Sequence, residues 1–197
     1  MVSTDICNMA LGYLGQARIA DMDENSEAGR ACKLYYDVVR KTLLASYRWR
    51  FAERHVKLAL LNTDVPGWNF TYAMPAAALV IRKVYDMDNA EMKDDGEPTY
   101  TTLAVKETQI AVCTNIENAY CDYTADVENA AVFPPSFIQA LAHALASEIA
   151  MPLDGSASMQ QTNYQLMQAV IYQAQYTSAI QDEHKPAEPN RYVEARF

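Results

Sequence analysis

The chain has 197 residues, enough for one core with an elaboration, and half of them are hydrophobic against 21% charged, which excludes a wholly disordered polypeptide. Its 16 Lys and Arg against 25 Asp and Glu give a formal charge of −9, a poor basis for gripping nucleic acid, where cations on phosphates dominate affinity. The deficit is confined to one stretch: residues 1–106 hold 13 bases and 14 acids, residues 107–184 no base and 9 acids, and residues 185–197 3 bases and 2 acids.

The first predicted helix covers residues 3–14, capped by Ser3 or Thr4, striped by Ile6, Met9, Ala10, Tyr13 and Leu14, and stopped by Gly15. A link over 16–24 leads to a longer helix capped by Asn25 or Ser26, with Ala28, Cys32, Tyr35, Val39, Thr42, Leu43 and Ser46 at three- and four-residue spacing. A break is expected near Trp49, and Phe51, Val56, Leu58 and Leu60 fit either a continued helix or a strand. From 65 to 124 the texture turns to short runs rich in β-branched and aromatic residues: WNFTYA, ALVIRKVYDM, TYTTLAV, TQIAVC and AYCDYT. Asp94-Asp95-Gly96 reads as a loop tip and Lys106-Glu107 as a tight hairpin link. Helices resume at Pro134-Pro135, where Phe137, Leu141, Leu145 and Ile149 share a face amid alanines, and Pro152 with Asp154-Gly155 ends that element. A last helix from Ser156 or Ser158 to Asp182 is filled with glutamine and tyrosine, and the residues beyond His184 read as an extended arm.

The expected class is therefore α+β, mainly α. A helical bundle core (1–64 and 125–184) carries a small inserted antiparallel sheet (65–124) and ends in a C-terminal arm (185–197). No stretch approaches the roughly 18–20 apolar residues of a membrane span, and the opening residues lack the basic region of a secretory signal. Cys7, Cys32, Cys113 and Cys121 form no CxxC and sit in apolar flanks, as small buried thiols of a reducing compartment do.

Candidate chemistry is sparse. Three distant histidines (His55, His143, His184) offer little for a histidine-centred active site, and His143, in an alanine-leucine helix, reads as a packing residue. Nucleophile-elbow, phosphate-loop, dinucleotide and zincin motifs are all missing from the sequence, so no catalytic, cofactor or metal residue is assigned. Asp21-Met-Asp23-Glu24 and Asp86-Met-Asp88-Asn89 begin like calcium loops but lack the following Gly and Glu, and read as solvated carboxylates. One basic concentration exists: Arg40, Lys41, Arg48, Arg50, Arg54 and Lys57, with Tyr47, Trp49 and Phe51 interleaved. It suits ion pairs with acidic neighbours, within the chain or on an adjacent subunit, better than nucleic-acid contact. Arg40, Arg48, Arg50 and Arg54 are the candidates for a basic intersubunit face.

Several blocks in order have a familiar arrangement: Asp5-Ile-Cys-Asn-Met-Ala-Leu-Gly-Tyr-Leu-Gly15, Asn25-Ser-Glu-Ala28, Trp49-Arg-Phe-Ala52, Trp68-Asn-Phe-Thr-Tyr-Ala-Met-Pro75 and Phe133-Pro-Pro-Ser-Phe137. Over roughly residues 5–185 this resembles the head-to-tail adaptor family of short-tailed bacteriophages, also called the tail tubular protein A or head-completion family. Ala76-Ala77 departs from relatives that often carry an Asp after the proline. The resemblance implies a non-enzymatic virion protein, assembled in the host cytoplasm, that forms a twelve-subunit ring beneath the portal. Its implied partners are the portal protein, the nozzle (tail tubular protein B) or tail fibre proteins, and DNA that passes without specific binding. It also implies that the arm reaches the portal, which makes Pro186, Pro189, Arg191, Tyr192, Arg196 and Phe197 portal-binding candidates. Two alternatives stand beside it: a cell-wall-degrading tail component, as some relatives are reported to be, and a DNA-binding module.

Overall fold

The computed structural model describes residues 2–86, 100–106 and 109–182. The expected loop tip at 94–96 and the arm at 185–197 lie outside them, as do residues 107–108. The class is α+β: among the described residues there are four helices and seven strands in two antiparallel sheets. Among the described residues no helix is long and apolar enough to cross a membrane.

Two compact units make up the chain, one of residues 2–3 with 36–133, the other of residues 4–35 with 134–182. In the helical unit, α1 (Ser3–Tyr13) buries Ile6, Cys7, Ala10 and Leu11 and ends where Gly15 takes φ 69, a left-handed conformation glycine adopts without strain. Asn8 ties down the link that follows, its amide donating to the Ile19 carbonyl at 3.0 Å and its oxygen accepting from Ile19 N at 2.8 Å. Ser26 is the residue that caps α2 (Glu27–Ser46), accepting from Gly29 N at 3.0 Å. α3 (Pro135–Asp154) starts with proline in its first turn and buries Phe137, Leu141, Leu145 and Ile149 as expected. It ends at Asp154-Gly155, as expected, with Pro152 still inside it. That residue sits in the last turn, where only one carbonyl loses its donor, and Gly155, at φ 64, closes the helix by donating to Met151 O at 3.1 Å. α4 (Ala157–Asp182) packs along α3.

The β unit holds all five strand runs of the sequence. These are β3 (Phe70–Ala73), β4 (Ala78–Tyr85), β5 (Tyr100–Lys106), β6 (Gln109–Thr114) and β7 (Tyr120–Ala125). It also holds β1 (Glu53–Lys57) and β2 (Ala59–Leu60), placed by the sequence reading in the helical core. The expected single sheet is thus two, in orders β1-β7-β4 and β2-β3-β6-β5, and the chain crosses between them at Leu58. Both sheets feed one apolar cluster of Leu58, Tyr72, Ile81, Val84, Val112, Ala119 and Cys121. Tyr100 spans them, its hydroxyl donating to Ile81 O at 3.0 Å. α2 ends at Ser46, and the buried Trp49 indole donates to Leu43 O at 3.0 Å, fixing the break the sequence led one to expect.

Candidate functional site

The basic stretch spends most of its charge inside the β unit. The buried stripe of α2 includes Tyr36, Arg40, Leu43 and Leu44, spaced i, i+4, i+7, i+8, so helical geometry carries Arg40 inward with its apolar neighbours. Arg40, 1% exposed, donates to Asp126 Oδ1 at 2.5 Å and to Val127 O at 2.7 Å, while Asp37 lies 3.4 Å away. A guanidinium so enclosed has no surface to offer another subunit, which removes Arg40 from the expected basic face. Lys41 Nζ meets the second Asp126 oxygen at 3.2 Å. Burial alone would raise the Asp126 pKa, but the bonds from Arg40 and Lys41 outweigh it and hold the carboxyl below its ordinary range.

Arg54 lies against its own backbone, donating to Phe51 O at 3.0 Å and Glu53 O at 2.7 Å. Arg50 is exposed in the turn Arg50–Ala52. Arg48 joins a cluster that the sequence did not announce. Strand alternation puts Glu53 and His55 on one face of β1, and antiparallel register sets His55 opposite Asp122 on β7. His55 Nδ1 lies 2.6 Å from Asp122 Oδ1. Arg48 Nε donates to Glu53 Oε1 at 2.9 Å, and its Nη2 bonds the same oxygen and reaches Asp122 Oδ2 at 3.3 Å. Burial, then the charge of the Asp122 carboxylate, raises the Tyr85 pKa. Asp122 is buried, whereas Arg48 is half exposed and His55 more so. The same burial and the Asp122 charge push the neighbouring Cys121 thiol up to about 11.

Arg82 is a second residue the sequence left unmarked. Between Ile81 and Lys83 the β4–β7 register slips, and such a bulge re-aims the extra side chain. Arg82 Nε donates to Thr124 Oγ1 at 2.9 Å, and Nη2 bonds Ala45 O at 2.7 Å and Tyr47 O at 3.1 Å, at the end of α2. Burial, then the charge of Arg48, lowers its pKa.

In the helical unit His143 is a packing residue. It stacks on Tyr13 with ring centroids 4.2 Å apart and bonds Asn163 Oδ1 through Nδ1 at 3.0 Å. Asn163 in turn donates to Met159 O at 3.0 Å, which fixes its amide orientation and makes His143 Nδ1 the protonated nitrogen. Cys7 and Cys32 are buried free thiols, and the neighbouring Cys32 thiol, then burial, raises the Cys7 pKa. The link carboxylates are local ligands of the backbone. Asp21 Oδ1 accepts from Asp23 N at 2.8 Å, Glu24 Oε2 accepts from Ala20 N at 2.8 Å, and Asp23 pairs with Lys33 at 2.5 Å.

The outer face of α4 has a different character. Met159, Asn163, Met167, Val170, Ile171 and Ala174 turn inward, leaving Gln161, Tyr164, Gln165, Gln168, Tyr172, Gln173, Gln175 and Tyr176 exposed. From 157 to 181 there is no charged side chain. The candidate arm residues Pro186, Pro189, Arg191, Tyr192, Arg196 and Phe197 lie outside the described residues. No protein-family model matches this chain, and no curated protein matches it.

Proposed function

We propose that the chain is a structural virion protein, the head-to-tail adaptor of a short-tailed bacteriophage. Twelve copies form a ring beneath the portal, extend the DNA channel and receive the nozzle or fibre proteins below. In this reading the helices of the unit 4–35 with 134–182 form a bundle, α4 turns its outer face to the channel, and residues 185–197 are the arm that seeks the portal. The observation that carries it is the uncharged, glutamine- and tyrosine-rich exposed face of α4, within a stretch from 107 to 184 that holds no Lys or Arg. A conduit has to let a polyanion slide without capturing it, and cations are what capture phosphates. The family resemblance of the ordered sequence blocks supports the same reading. Arg50 and Arg54, both exposed, remain the basic contribution to the subunit interface, where a closed ring joins two different faces.

The test is to mix the purified chain with portal rings and image the product by electron microscopy. Added density with twelvefold symmetry is expected, and deletion of residues 186–197 should abolish it while leaving the helical circular dichroism intact. Full attachment of the truncated chain would rule out the arm as the anchor, and failure of the intact chain to bind portals would sink the adaptor reading itself.

A further inference from the structure

We propose that Glu53, His55 and Asp122 form a binding site for one divalent transition-metal cation of the zinc type, which displaces the guanidinium of Arg48. The three ligand atoms all lie within 4.8 Å of one another. One imidazole nitrogen and two carboxylate oxygens are a donor set suited to Zn²⁺ and its neighbours, while an imidazole disfavours Mg²⁺ and Ca²⁺. Metal–ligand distances of about 2.0–2.2 Å put tetrahedral donors about 3.4 Å apart. His55 Nδ1 and Asp122 Oδ1 start at 2.6 Å, so they need only part slightly, and the Glu53 carboxylate need close only a short way.

Rigidity favours the site as well. Asp122 stands on the central strand of its sheet and is buried, so its carboxylate has little freedom to move. His55 is fixed opposite it by the strand register. Two partly buried carboxylates on adjacent strands require a compensating cation, and Arg48 supplies one from a side chain that is 51% exposed. A dication does the same work from the middle of the cluster, and the guanidinium swings out to solvent. Arg48 is therefore a competitor built into the site, which gives its removal and that of His55 effects of opposite sign.

The experiment titrates Co²⁺ into the full chain at neutral pH, following visible ligand-field absorption, with Zn²⁺ added afterwards to displace it. One Co²⁺ per chain is expected. His55→Gln, a substitution at an exposed position, should weaken binding about tenfold or more. Arg48→Met should tighten it, and Asp122→Asn should abolish the signal while circular dichroism reports an intact fold. Binding by His55→Gln equal to that of the parent would place the metal elsewhere and overturn the proposal. So would unchanged or weaker binding by Arg48→Met, or no binding by the parent.

Discussion

Arg40 carries the strongest single-residue consequence in the molecule. Its charge is enclosed, so removing its main partner leaves a buried cation short of compensation. Asp126→Ala is expected to destabilise the β unit by about 3 kcal/mol, the low end for a broken buried pair, because Val127 O and Asp37 remain beside the guanidinium. Urea denaturation at neutral pH measures it. The pH dependence follows from the depressed Asp126 pKa. A carboxyl whose folded pKa lies below its unfolded one contributes stability that is complete above the unfolded value, about 3.9, and is lost as pH falls through the folded value. The urea midpoint should therefore drop below about pH 4, and that part of the drop should be missing in Asp126→Asn. Gly29 makes a separate prediction. Alanine for glycine inside a helix ordinarily gains about 1 kcal/mol. Here a Cβ would stand 2.5 Å from the Glu24 carbonyl oxygen, a backbone atom that cannot step aside cheaply. Gly29→Ala is expected to cost about 1–3 kcal/mol instead, as overpacking does, and a lowered melting temperature would show the sign.

At the scale of elements, α2 ends where it does because the β unit supplies its last donors. Helix C-termini leave carbonyls without partners, and Arg82 reaches two of the backbone oxygens there from its bulge on β4. Arg82→Leu should cost about 2–3 kcal/mol, since a charged donor is lost from part-buried acceptors. Arg82→Lys should recover only a fraction, because a point ammonium cannot serve Thr124 and both carbonyls with one fork. Guanidinium denaturation of the three proteins orders them. The strands of residues 70–125 were legible from alternating β-branched and aromatic residues. β1 was not: Glu-Arg-His-Val-Lys has no apolar face, because it is an edge strand whose outer side is polar. Its strand character lies in its pairing with β7, which no local pattern displays. The Arg48, Glu53, His55 and Asp122 cluster stayed hidden for the same reason. Glu53 and His55 show the i, i+2 spacing of a strand face, but Asp122 is 67 residues further on from His55. Arg40 was half legible: its helical spacing from Tyr36 and Leu44 marks it as inward, and only its charge suggested a surface.

For the whole molecule, the net charge of −9 resolves into two different arrangements. Two of the acids in the base-free stretch, Asp122 and Asp126, meet the basic residues of the 40–57 stretch within the β unit. What remains without Lys or Arg is the pair α3 and α4, and on α4 carboxylates are missing too until Asp182. Under the adaptor reading this neutrality has a function that substitution can cancel. Gln161, Gln165 and Gln168 are exposed, and lysine has nearly the same helix propensity as glutamine, so the triple Lys variant should fold and assemble as the parent does. If α4 faces the channel, twelve copies would line it with 36 new positive charges (three per subunit), and phosphate contacts would multiply. Such contacts weaken steeply with salt, log K falling by roughly 0.9 per phosphate for each decade of salt. Phage carrying the variant should therefore eject DNA more slowly than the parent at low ionic strength and regain the parent rate at high. The time course of genome release at two salt concentrations reads this directly. Equal rates at low salt, in particles that contain the variant, would place α4 away from the DNA and leave its uncharged face to a protein neighbour.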